Sequence, residues 1–127
     1  MYVDSTTGKA NTRLSQNGHL AAGVPGTVSG LFASHTHARL PMAKLIEPAI
    51  MLAEKGFAIT AAEARSLNQN RRQFEQLNTV VPVFVKPEGK PWKAGDTLVQ
   101  KDLAATLRRI QQQGEAGFYT GRTADLI

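Results

Sequence analysis

At 127 residues, with 42% hydrophobic and 20% charged side chains, the chain has material for one hydrophobic core and lies outside the compositional range of disorder. It has no cysteine, which excludes disulfides, thiolate zinc sites and a cysteine nucleophile. No apolar run reaches the roughly 18 residues of a membrane span, the start Met1-Tyr2-Val3-Asp4 lacks the pattern of a secretion signal, and the net charge of +5 is scattered along the chain, which argues against a nucleic-acid partner.

The first 18 residues are polar and read as irregular surface chain. A glycine-proline turn at Gly23-Val24-Pro25-Gly26 leads into Val28, Leu31, Phe32 and His35, spaced as one helix face. This predicts a helix from about Val28 to Ala38 with Thr27 as its N-cap. The apolar stripe Met42, Leu45, Ile46, Ala49, Ile50, Ala53 contains Pro48, whose ring clashes with the carbonyl four residues earlier, so the stripe is expected to break there. Pro48 would open a new helix that Gly56 ends in a left-handed conformation, with Leu52 and Phe57 in the apolar contact of a Schellman motif. Thr60-Ala61-Ala62-Glu63 is a capping box, starting a helix over Ala61 to about Leu77.

Val80-Val81-Pro82-Val83-Phe84-Val85 suits a short or edge strand, and Lys86-Pro87-Glu88-Gly89 a β-turn. Leu103, Ala104, Leu107 and Ile110 share a helical face, Gly114 ends that helix, and a final helical pattern begins near Thr123. The fold class is therefore mostly α with a short β excursion in one segment, 1–127.

Candidate chemistry is sparse. His35 and His37 stand at i, i+2, the wrong spacing for a helical metal pair, and His19 lies beside a glycine-rich turn. The Gly23–Thr27 turn superficially resembles an anion cradle but lacks the lysine and spacing of a phosphate loop, and it reads better as a structural turn. Thr27, Ser29, Ser34, Thr36 and Thr60 offer hydroxyls without a nucleophile-elbow motif. Glu47 and Glu54 are separated by Pro48, so no shared acid–base pocket follows from their spacing. Arg71-Arg72 suit a carboxylate in type, yet such pairs on polar helices mostly face water. The residues therefore give no catalytic, cofactor-binding or metal site.

Gly18-His19-Leu20-Ala21-Ala22-Gly23-Val24-Pro25-Gly26-Thr27-Val28-Ser29-Gly30 closely resembles a signature of the γ-glutamyltranspeptidase family. The similarity continues through Leu45–Phe57, through Gly95–Gln100 with Leu103, Ala104, Thr106 and Leu107, and through Gly114 with Phe118-Tyr119-Thr120-Gly121. The resemblance implies a central part of the large subunit of an N-terminal nucleophile hydrolase, forming outer helices of an αββα sandwich. Such enzymes cleave themselves from a precursor. They then transfer or hydrolyse γ-glutamyl groups of glutathione and related compounds through a threonine that begins the small subunit. That threonine, the oxyanion glycines and the donor-binding arginine have no counterpart here, so the resemblance assigns no site residue to this chain.

It also implies no cofactor, a periplasmic or extracellular location, and as partners the remaining large subunit and the small subunit, with γ-glutamyl substrate bound only by the intact enzyme. The chain is thus expected to be a fragment, inactive alone and prone to self-association through underburied stripes. A non-enzymatic helical interaction module is the alternative, and a basic nucleic-acid binder a weaker one.

Overall fold

The computed structural model describes residues 2–16, 21–77, 80 and 82–127. In chain order the helices are α1 (Thr12–Gln16), α2 (Thr27–Ser34, continued by a 3-10 turn over His35–His37), α3 (Met42–Lys55), α4 (Ala61–Gln69), α5 (Arg71–Leu77), α6 (Lys101–Gln113), α7 (Ala116–Tyr119) and α8 (Gly121–Asp125). Two short strands, β1 (Phe57–Ala58) and β2 (Thr97–Leu98), pair antiparallel with Phe57 opposite Leu98 and Ala58 opposite Thr97. The expected mostly helical class with a small β element is what the structure has.

Helices α3 and α6 form the central pair. They run antiparallel, because the Gln100 amide at the start of α6 donates to the Ala53 carbonyl at the end of α3, while Gln111 Nε2 donates to the Ala43 carbonyl at the other end. Ile50 and Ala53 of α3 and Ala104 and Ile110 of α6 are buried, so the stripes read from the sequence do meet. Burying such an Ile side chain contributes about 2 kcal/mol. Arg108 on α6 pairs with Glu54 on α3 at the edge of the seam.

The expected break at Pro48 does not occur: α3 is one helix through it. The ring does remove the hydrogen bond to the Lys44 carbonyl. Contacts with α6 on both sides of Pro48 outweigh that local cost: before it the Ala43 carbonyl accepts from Gln111 Nε2, and after it Ile50 and Ala53 are buried. The ending at Gly56 is also different from the expected one. Its φ of 81° is positive, but its ψ of 171° is extended rather than left-handed helical, so the chain runs directly into β1 and Leu52 stays exposed. A side chain at Gly56 would meet Thr97 Cγ2, Val99 Cγ2 and the Leu98 carbonyl at 2.6–2.8 Å.

Thr60 caps α4 as expected: its hydroxyl accepts from the Glu63 amide at 3.2 Å, and the Glu63 carboxylate accepts from the Thr60 amide at 2.7 Å. The bond from the Thr60 amide, and after it the one the Thr60 hydroxyl donates to the same carboxylate at 2.8 Å, hold the Glu63 carboxyl below its ordinary pKa. The helix expected over Ala61–Leu77 is instead two, interrupted at Asn70, whose side-chain amide donates to the Ser66 carbonyl.

Among the described residues, Val80 and Pro82–Val85 form no strand. They bend so that the Phe84 carbonyl accepts from Trp92 Nε1 at 2.7 Å. Trp92 joins Ile59, Ala64 and Leu98 in a second core, flanked by Phe57, Leu67 and Phe84. Asn68 fixes its backbone on both sides, Nδ2 donating to the Trp92 carbonyl at 2.9 Å and Oδ1 accepting from the Trp92 amide at 2.8 Å. Lys86 lies 5.2 Å from the indole ring and bonds Asp96 at 2.7 Å. With the Lys93 amide at 2.6 Å, that bond holds the Asp96 carboxyl below the usual carboxylate range, Lys86 being the larger cause. The expected β-turn at Lys86–Gly89 is present, the Gly89 amide donating to the Lys86 carbonyl.

The N-terminal residues are exposed as expected but not irregular. Asp4 Oδ1 accepts from the amides of Thr6 and Thr7, Val3 bridges Ala10, and the Asn11 amide donates to the Tyr2 carbonyl, which closes a hairpin. No helix among the described residues is long and apolar enough to cross a membrane.

Candidate functional site

Each polar residue weighed from the sequence has a structural engagement or stands apart. His35 Nε2 lies 2.8 Å from the Leu40 carbonyl, His37 shares its short 3-10 turn, and His19 falls outside the described residues. No group of three His, Asp or Glu able to hold a metal exists among the described residues. The hydroxyls of Ser34 and Thr36 donate to carbonyls of the preceding turn, and that of Thr60 belongs to the capping box. Glu47 and Glu54 do face one open groove of about 270 Å³, together with Arg108, but Arg108 already neutralises Glu54. Arg71 is spent on Glu75, four residues on, and on the Gly89 carbonyl, and Arg72 is exposed.

The Gly23–Thr27 turn is held from a distance. Tyr119, at the end of α7, donates its hydroxyl to the Pro25 carbonyl at 2.7 Å and accepts from the Ser29 amide at 3.1 Å. Ser29 is the third residue of α2, so Tyr119 supplies the bond an N-cap side chain would make. The helix accordingly starts at Thr27 with Gly26 at its N-cap position and no side-chain cap, which corrects the expectation that Thr27 caps it. With that amide used by a phenol, the anion-cradle reading loses one of its donors.

A polar cluster that the sequence did not disclose ties α6 to α7 and α8. Arg109 Nε donates to Thr123 Oγ1 at 2.8 Å, its Nη2 to Thr106 Oγ1 at 2.9 Å, and Thr123, 5% exposed, donates to the Gly117 carbonyl at 2.8 Å. Arg109 and Thr123 are 14 residues apart, and neither belongs to a motif. Gly117 sits so near α6 that a Cβ there would lie 2.2 Å from the Arg109 carbonyl oxygen.

The molecule also presents apolar side chains outward. Leu45 and Leu52 of α3 and Leu103 of α6 are exposed on the central pair. Beside them a groove of about 440 Å³ runs between α2 and the pair, lined by Leu31, Met42, Leu45, Ile46 and Leu107 among others. A second, of about 510 Å³, lies between Val83, Phe84, Val99 and Leu103. Ser34 and His35 also line the first groove, but Ser34 Oγ donates to the Gly30 carbonyl and His35 Nε2 lies against the Leu40 carbonyl.

A sequence model of the gamma-glutamyltranspeptidase family matches residues 1–127. The chain belongs to that family. Similar curated proteins include the glutathione hydrolase proenzymes of Pseudomonas sp. strain A14, 40% identical across this whole chain, and of Escherichia coli K12, 35% identical. The chain spans about a fifth of their length, 22% in both cases. Among solved structures, the Helicobacter pylori gamma-glutamyltranspeptidase superposes with a TM-score of 0.90 at 41% identity, over 99% of this chain and 36% of that one. The Bacillus anthracis transpeptidase CapD gives 0.71 at 40% identity, over 83% and 37%. Apart from Gly18, His19 and Leu20, which lie outside the described residues, the motifs that carried the resemblance lie on the elements just described: the turn leading into α2, helix α3, the β2–α6 connection and α7.

Proposed function

We propose that this chain is a supporting helical layer of an enzyme that transfers or hydrolyses γ-glutamyl groups of glutathione and related compounds, and that it has no activity by itself. The observation that carries the reading is the family match over all 127 residues, combined with an apolar α3–α6 face exposed at Leu45, Leu52 and Leu103. In the complete enzyme this layer belongs to the outer part of an αββα sandwich, with the remaining large subunit and the small subunit as its partners. The reacting threonine comes from the small subunit and forms the γ-glutamyl-enzyme, with its own amine as base. The enzyme acts in the periplasm or outside the cell. This chain contributes rigidity: the Arg109–Thr123–Gly117 cluster and the Trp92 core fix two ends of the layer.

The purified chain incubated with a γ-glutamyl anilide should release no aniline above a heat-killed control, whereas a proenzyme containing the same segment should. Turnover by the chain alone overturns this reading. The same apolar face also suits a non-enzymatic interaction module. A proenzyme that contains the segment but lacks γ-glutamyl turnover would favour that second reading.

A further inference from the structure

We propose that α2 is a strap forming one wall of an apolar groove, and that the Tyr119 hydroxyl is its latch. Three observations lead there. Helix α2 has no fully buried residue, only Val28 and Phe32 being half-buried, so it is not held by a core of its own. The groove of about 440 Å³ separates its Leu31 side from Met42, Leu45 and Ile46 of α3 and Leu107 of α6. Its ties to the α6–α8 end are local: the Phe32 ring faces Gly114, where an added Cβ would lie 3.7 Å from it, and the Tyr119 hydroxyl bridges Pro25 and Ser29 across some 90 residues of sequence.

The bridge has the character of a latch because of where it acts. It bonds the carbonyl just before α2 and an amide in its first turn, so both the entry turn and the helix start are fixed by one oxygen. The Tyr119 ring is itself positioned edge-on against Phe118, with centroids 5.0 Å apart, and would stay placed if only the hydroxyl were removed. Residues with few buried contacts open locally at a free energy set by the few bonds they have. Opening of α2 would widen the groove without disturbing the α3–α6 seam. The latch also gives a physical link between the Gly23–Gly30 and Phe118–Gly121 motifs, which are distant in sequence and share this side chain.

Amide hydrogen exchange on the full 127-residue chain tests the inference, comparing Tyr119→Phe with Thr106→Val. The second variant removes a hydroxyl of similar worth from the Arg109 cluster. Loss of the latch should speed exchange over residues 29–34 about fivefold, the equivalent of about 1 kcal/mol of net hydrogen bonding, and leave α3 and α6 within about twofold. Thr106→Val should leave residues 29–34 unchanged. Three results would overturn the proposal: unchanged exchange at 29–34 in Tyr119→Phe, an equal rise throughout the chain, or exchange at 29–34 in the unaltered protein as fast as in an unfolded peptide.

Discussion

Replacing Gly117 with alanine sets local and tertiary preferences against each other. On propensity alone the change should stabilise helix α7 by about 1 kcal/mol, since the glycine is not among those with positive φ. The structure predicts the reverse. An added Cβ would lie 2.2 Å from the Arg109 carbonyl oxygen, 2.4 Å from its carbon and 2.8 Å from the Ile110 nitrogen. All three are backbone atoms of α6, so no side chain can swing aside, and α7 must retreat by roughly 1 Å to restore ordinary contact. Such a retreat strains the Thr123 bond to the Gly117 carbonyl and loosens the seam at Ile110, which is buried.

Overpacking costs about 1–3 kcal/mol and a weakened buried hydrogen bond about 1 kcal/mol, against the propensity gain. The net is a destabilisation of about 2 kcal/mol, or a fall in Tm of roughly 8 °C for a chain of this size. Thermal and urea unfolding followed by far-ultraviolet circular dichroism measures it. An unchanged or raised Tm would refute the close approach of α7 to α6 and with it the placement of the Arg109–Thr123 cluster.

Pro48→Ala restores an amide donor to the Lys44 carbonyl inside α3 and should raise stability by about 1–2 kcal/mol; a lowered urea midpoint would contradict the continuous helix. Asn68→Ala deletes both bonds that frame the Trp92 backbone, for a loss of about 2 kcal/mol, and a red-shifted tryptophan emission should accompany it. The Asp96 carboxyl is depressed below its unfolded value by Lys86 and the Lys93 amide, so its contribution is present above the unfolded pKa and is lost as pH falls through the lower folded one. Asp96→Asn should therefore flatten the acid side of the stability–pH curve, and an unchanged acid limb would show that the Lys86–Asp96 bond contributes nothing.

The readable parts of the sequence were those set by neighbours in the chain. The Thr60–Glu63 box, the burial of Ala104 and Ile110, the stop at Gly114 and the turn at Lys86–Gly89 each depend on a few adjacent residues, and each was legible. Pro48 misled because its cost is local while the gain from a continuous α3 lies on α6. Val80–Val85 misled because β-branched composition does not reveal that Phe84 will offer its carbonyl to Trp92. Tyr119 and Pro25, Arg109 and Thr123, and Asn68 and Trp92 meet only after folding, and no periodicity announces them. Of the polar residues weighed, the capping role of Thr60 was legible because it is local, whereas the bond from Arg71 to the Gly89 carbonyl was not.

In the proposed role the α3–α6 pair carries an outward contact face rather than the interior of a self-sufficient core. The double variant Leu45→Gln, Leu103→Gln tests it, measured by circular dichroism together with binding of an apolar-surface dye and sizing of the chain. Both leucines are exposed, so the helical signal should persist while dye binding and self-association fall. Loss of the helical signal in this variant would mean that the face is core, and would contradict the account.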